Sequence, residues 1–389
     1  MSRFYEVKDR MGTRSVKWDM AEKLFKSKEV LPMWVADMDF QAPQAVIDAL
    51  RERAGHGIFG YTLTDELIGG NIYDWVKSRY NWTIDTNWIT YSPGVVPSLH
   101  MMVQALTEKG DNLLIQTPVY PPFYKVVEQH ERNIIKNELI YRENRYEIDF
   151  VDFENQIKKN DVKAFILCNP HNPVGRVWTE EELKKMADIC LKHNVLIFSD
   201  EIHADLVLPG YNHTPIASLS EDINQKTITC LSPTKTFNLA GLQASYVITA
   251  DKKLKKKMDD KFLAQGMNML NTMGITALEA AYQHGAEWLE ELLGIIKENK
   301  DYALKHLNAT GKIEVVEPEG TYLLWLDCKK TGLAHEDLKT FMQETAKVGL
   351  NDGASFGKEG EGFMRMNIAC PKATLEEGVD RIVKALKEL

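Results

Sequence analysis

Residues 195–206 read VLIFSDEIHADL, a run of apolar, β-forming residues that stops abruptly at Asp200, Glu201 and His203. A strand buried on both faces of a parallel sheet has this composition, and in open α/β sheets ligands bind beyond the carboxyl ends of such strands. The same pattern lies on either side. Upstream, AFILC (164–168) runs into Asn169-Pro170-His171-Asn172-Pro173, and downstream TITCL (227–231) runs into Ser232-Pro233-Thr234-Lys235. Three consecutive strand ends thus present an amide, a carboxylate and an amine.

Further out, WITY (88–91), NLLIQ (112–116) and YVIT (246–249) read as buried strands. VVPSLHMMVQALT, YPPFYKVVEQH and TEEELKKMADICLKH carry helical spacing between strands, the last opened by Thr179 as N-cap. Strands alternating with helices predict an α/β fold with a mostly parallel, doubly wound sheet. After about residue 250 the chain is strongly helical, then changes to IEVV (313–316), TYLLWLD (321–327), a helical HEDLKTFMQETAK, GFMRMNIA (362–369) and a last helix from Thr374. At 389 residues the chain exceeds one compact core. The expected division is a large domain, 46–285, and a smaller α+β domain built from 1–45 and 286–389.

Composition excludes several classes. With 44% apolar and 26% charged residues the chain has the balance of a folded globular protein. A net charge of −9 argues against nucleic acid as a partner, since that binding needs a surplus of Lys and Arg. The one basic cluster, KKLKKK (252–257), lies in a helical pattern and reads as a solvated face. No run reaches the ~18 apolar residues of a membrane span, and MSRFYEVKDRMGTRSVKWD has no secretory h-region, so a cytoplasmic address is expected. Cys168, Cys190, Cys230, Cys328 and Cys370 stand singly, which argues against a metal site or a disulfide framework.

The trio at the strand ends matches the needs of pyridoxal phosphate: a lysine to bind its aldehyde and a carboxylate beside its pyridinium nitrogen. Lys235 is the expected covalent attachment and the base for the substrate Cα proton, and Asp200 the expected carboxylate. The NH₂ of Asn172 suits the ring's phenolic oxygen. Ser92-Pro93-Gly94-Val95-Val96 joins a strand to a helix start, so the N–H groups of Val95 and Val96 are placed for a phosphate. Ser232 could add a hydroxyl. Tyr120, in TPVYPPFY, suits stacking on the ring. Arg365, among the apolar residues of FMRMNIA, needs an anionic partner, and a substrate α-carboxylate would supply one. Each piece alone has a plainer meaning: a turn, a helix cap, a structural ion pair, a surface lysine. Their joint placement at strand ends is what argues for chemistry.

The chain resembles the fold type I pyridoxal-phosphate enzymes, whose fold is that of aspartate aminotransferase. Within them it is similar to the MalY/PatB group of cystathionine β-lyases. The resemblance runs through GTRSVKWD (12–19), LPMWVADMDF (31–40), FGYT (59–62), SPGVVPSL (92–99), TPVYPPFY (117–124), CNPHNPVGRVW (168–178), SDEIHADL (199–206), SPTKTFNLAGLQAS (232–245) and MRMNIA (364–369). It implies the roles given above for Lys235, Asp200, Asn172 and Arg365. Tyr61 matches a tyrosine that reaches the cofactor phosphate of the neighbouring subunit, implying a homodimer. Cis peptides are implied at Thr117-Pro118 and Asn172-Pro173. His203 and Gln243 stand where many aminotransferases carry a tyrosine and an arginine, which leaves the phosphate more dependent on backbone amides, Ser232 and Thr234. Trp34, Ala36, Tyr61 and Tyr120 are expected to shape the substrate pocket. The expected reaction is β-elimination from L-cystathionine, L-cysteine or another S-substituted cysteine, giving a thiol, pyruvate and ammonia. Its rivals are an aminotransferase and, from another class, a regulatory or binding protein on the same fold.

Overall fold

The computed structural model describes residues 3–389. A seven-stranded sheet organises the larger part of the chain. In chain order its strands are β1 (Ile89–Ser92), β2 (Asn112–Thr117), β3 (Asn133–Glu138), β4 (Val162–Cys168), β5 (Leu196–Asp200), β6 (Thr227–Leu231) and β7 (Ser245–Thr249). In space they run β1-β7-β6-β5-β4-β2-β3, and β7 alone is antiparallel to its neighbours. The central strands are apolar on both faces because helices cover both. Val95–Leu106 and Lys252–Ala264 pack on one face with Phe198, Ile228 and Val247, and Phe150–Lys159 and Glu180–Lys192 cover the other with Phe165 and Ile197. Thr179 caps Glu180–Lys192 in a capping box with Glu182, as its spacing predicts.

Two strand readings need correction. Trp88 lies in a 3-10 turn ahead of β1, and the edge strand β3, NIIKNE, was not anticipated. An edge strand is wetted along one side, so β3 mixes polar and apolar residues and loses the apolar run that marks the central strands. The lysine-rich cluster is the solvated helix expected: Asp251 caps it, and Lys255 and Lys256 pair with Asp259 and Asp260 one turn on.

The second sheet contains β8 (Glu314–Val315), β9 (Leu323–Asp327), β10 (Asn351–Asp352) and β11 (Phe363–Asn367), all antiparallel in the order β8-β9-β11-β10. The N-terminal segment packs against it. Leu31–Pro32 pairs with Val348–Gly349, and the Asn367 side chain donates to the carbonyls of Val35 and Asp37.

A buried ion pair ties the loop after β4 to the approach to β9. Glu319 accepts from Arg176 Nε at 2.9 Å and from the Val177 N–H at 2.8 Å, with 4% and 1% of the two charged side chains exposed. Without Glu319, Arg176 keeps its ion pair with Glu182, but its buried Nε and the Val177 N–H lose their acceptor. Glu319→Ala is therefore expected to lower stability by about 1–3 kcal/mol, measured as a fall in the midpoint of chemical denaturation.

Candidate active site

The carboxyl ends of β4, β5 and β6 open onto one cavity of about 290 Å³. Val95, Val96, Tyr120, Asn172, Asp200, His203, Thr234, Lys235 and Ala36, all expected in the site, line it, together with Gln243. Gly94 precedes Val95–Leu106, so the first-turn N–H groups of Val95 and Val96 have no partner within the helix and the positive end of its dipole faces the cavity rim.

Lys235 sits in the short helix Pro233–Thr236, opened by Ser232 as N-cap and held from behind by Thr236, whose hydroxyl donates to Asp205 at 2.8 Å. The Lys235 ammonium donates to the Ala36 carbonyl at 2.5 Å. Burial and the Arg365 guanidinium pull its pKa down to about 8, against the pull of Asp37 and Asp200. Asp200 accepts from the Ile202 N–H at 3.1 Å, yet burial pushes its carboxyl up to about 7, with Glu201 adding to the rise. A buried carboxyl without a cation in contact is suited to a ligand that brings positive charge to it.

Arg365 reaches the site from β11. It donates to Asn172 Oδ1 at 2.9 Å, to the Trp34 carbonyl at 3.1 Å and to Asn351 Oδ1 at 2.6 Å, while its Nε is buried without a partner. Its planar group lies 4.8 Å from the Phe356 ring centroid. Burial pulls its pKa down to about 10, since every acceptor it touches is neutral. Because a guanidinium only donates, Asn172 must give it the amide oxygen, which leaves the Asn172 NH₂ free to donate to a ligand.

His203 is neutral: burial, Lys235 and Arg365 together pull its pKa down to about 3, and its Nδ1 is buried without a partner. Burial and Asp200 raise the pKa of Tyr120. Four expected residues are not part of the cavity wall: Arg365, which meets it through Asn172, and Ser232, Trp34 and Tyr61. Ser232 is committed to the Ala244 carbonyl at 2.8 Å and to Thr234, so Thr234 is the hydroxyl that reaches the cavity. Trp34 contributes its carbonyl to Arg365 and points its indole N–H at the Lys17 carbonyl, 3.1 Å away. Tyr61 is 98% exposed. Sequence reasoning missed Tyr322, Asn351 and Phe356. Tyr322 is hidden as one more apolar residue in the run TYLLWLD, and nothing in VGLNDGASFG marks Asn351 or Phe356. Peptides Thr117-Pro118 and Asn172-Pro173 are cis as expected, and Asn169-Pro170 is cis as well.

These residues fit pyridoxal 5′-phosphate. An amine and a carboxyl face one cavity, the Asn172 donor is left free, and unpaired helix N–H groups stand at one end. A model of the family described as aminotransferase class I and II matches residues 28–382. The cystathionine β-lyase PatB of Bacillus subtilis is 46% identical, covering 98% of this chain and 99% of its own. Cystalysin of Treponema denticola, whose structure contains a pyridoxal 5′-phosphate cofactor, superposes with a TM-score of 0.97 at 36% identity, over 100% of this chain and 99% of its own. The PLP-bound C-S lyase of Staphylococcus hominis does so with a TM-score of 0.92 at 32% identity, over 99% and 98%.

The Asp200 carboxyl binds its proton more tightly folded than unfolded, so its contribution to stability is full below its ordinary value of 3.8 and is lost as pH rises through about 7. In ligand-free protein, Asp200→Asn should remove this dependence. Melting temperatures taken from pH 5 to 8 are expected to rise for the variant relative to the parent as pH increases.

Proposed function

The chain belongs to the aminotransferase class I and II family, and within it we propose a pyridoxal-phosphate-dependent carbon-sulfur β-lyase acting on L-cystathionine, L-cysteine or a related S-substituted cysteine. The observation that carries this reading is one cavity lined by Lys235, Asp200 and Asn172, with Arg365 hydrogen-bonded to that same Asn172. When bound, the cofactor supplies an electron sink for the bond broken at the substrate Cα. Lys235 would hold it covalently, and Asp200 would keep its pyridine nitrogen protonated. Asn172 and His203 would face the ring oxygen, Tyr120 the ring, and Val95, Val96 and Thr234 the phosphate.

Arg365 offers the substrate carboxylate a buried cation whose present acceptors are all neutral, so an anion gains a full ion pair there. That grip fixes the Cα–H bond with respect to Lys235. A lysine with a pKa near 8 is neutral in a useful fraction near neutrality and takes the Cα proton. The Cβ–S bond then breaks with its electron pair leaving on sulfur. Hydrolysis of the remaining fragment gives pyruvate and ammonia.

Ile58, Phe59, Tyr61 and Leu63 form an exposed apolar ridge, 67%, 59%, 98% and 76% accessible. A second copy of the chain would cover it and carry Tyr61 to the partner's phosphate end, giving a homodimer. A cytoplasmic location suits five cysteines that are all unpaired and buried. Among the described residues no helix is long and apolar enough to cross a membrane.

Purified protein given L-cystathionine and no keto acid is expected to release thiol and pyruvate in equal amounts. A requirement for added keto acid would instead mark an aminotransferase. Lys235→Ala should lose the cofactor's reducible covalent link and about 10²–10⁴-fold in turnover. Arg365→Ala should raise KM about 10–100-fold with cofactor uptake retained, measured by steady-state kinetics beside absorbance titration.

A further inference from the structure

Tyr322 is fully buried directly before β9, its ring centroid 6.2 Å from that of His203 in a T-shaped arrangement. Its hydroxyl donates to the Ala36 carbonyl at 3.0 Å, the same oxygen that accepts from Lys235 at 2.5 Å. The backbone is bent to bring it there. Thr321, directly before it, has φ of +68°, a left-handed conformation that is costly for a β-branched residue, and its N–H is pinned to the Leu206 carbonyl at 2.6 Å. Ala36 is itself fixed from both sides, with the carbonyls of Val35 and Asp37 held by Asn367.

We propose that Tyr322 is a positioning residue that sets the proton affinity of the Lys235 amine by competing with it for the Ala36 carbonyl. The inference rests on reading Lys235 as the group that takes the substrate proton. A carbonyl oxygen already accepting from a hydroxyl offers less to an ammonium, so the tyrosine favours the neutral amine. The other charged or titratable groups facing that amine are Asp200 at the end of β5, Asp37 in the N-terminal segment, Arg365 on β11 and His203. Asp37 is tied by Arg10 at 2.8 and 3.1 Å, which leaves the neutral Tyr322 hydroxyl as the group that adjusts this acceptor without adding charge. Tyr322 thereby holds the base ready to accept a proton. After proton transfer it yields part of the carbonyl to the ammonium.

The test uses full-length protein stripped of cofactor. Trace acetylation with acetic anhydride across a pH series, read by mass spectrometry of the Lys235 peptide, gives the titration midpoint of this one amine. Tyr322→Phe should move the midpoint up by about 0.5–1 unit. A ring-fluorinated tyrosine at 322, nearly the same in shape but a stronger donor, should move it down, which guards against a Phe variant that folds poorly. The acidic limb of kcat in the cofactor-loaded variants, where substrate has freed the amine, should follow in the same directions. Midpoints unmoved in both proteins, or moved in the opposite senses, would overturn the proposal while thiol release from cystathionine still upheld the lyase. Loss of the covalent cofactor link at Lys235 would remove the lyase reading itself.

Discussion

Burying a guanidinium without a carboxylate is costly, and the placement of Arg365 organises much of the surrounding structure. Its three acceptors come from different parts of the chain: Asn172 from the loop after β4, Trp34 from the N-terminal segment and Asn351 from the small sheet. Neutral oxygens satisfy its donors without cancelling its charge. The side chain is thus held in one orientation while its affinity for an anion is preserved, the combination that the proposed grip on a substrate carboxylate requires.

The segment 34–40 carries this constraint to the opposite wall of the cavity. Trp34 and Ala36 offer carbonyls to Arg365 and Lys235, two residues apart. Asn238, in a left-handed conformation three residues after Lys235, grips Met38 through both its N–H and its carbonyl, and Phe40 through its carbonyl. Asp39 closes the far end, taking Lys17, which is buried, together with Arg10 and the Trp18 indole. One short stretch therefore bridges Arg365, Lys235 and the turn that carries it, using main-chain atoms that every residue type possesses.

That reliance on main chain explains what the sequence could and could not disclose. Strands β4, β5 and β6 were legible because burial on both faces leaves unbroken apolar runs, and their polar ends stand out by contrast. Lys235, Asp200, Asn172 and Arg365 were readable because their chemistry belongs to the side chain. Ala36 was anticipated only as pocket wall, whereas its structural contribution is a carbonyl. Ser232 was a reasonable candidate for the phosphate until its hydroxyl was seen committed to Ala244 and Thr234. Tyr322 differs from a packing phenylalanine by one oxygen, and only the fold says what that oxygen meets.

The antiparallel strand β7 has a consequence for how the chain is assembled. Strand β1 occupies the sheet edge and pairs only with β7, Ser92 opposite Ser245, whereas every other pairing in the sheet joins strands near one another in sequence. A chain emerging from the ribosome amino end first has β1 ready long before its partner exists, and closing so long a loop is entropically costly and slow. The helix that begins at Val95 hangs from β1, so the corner of the cavity lined by Val95 and Val96 is completed late, after the β4 to β6 core has been synthesised.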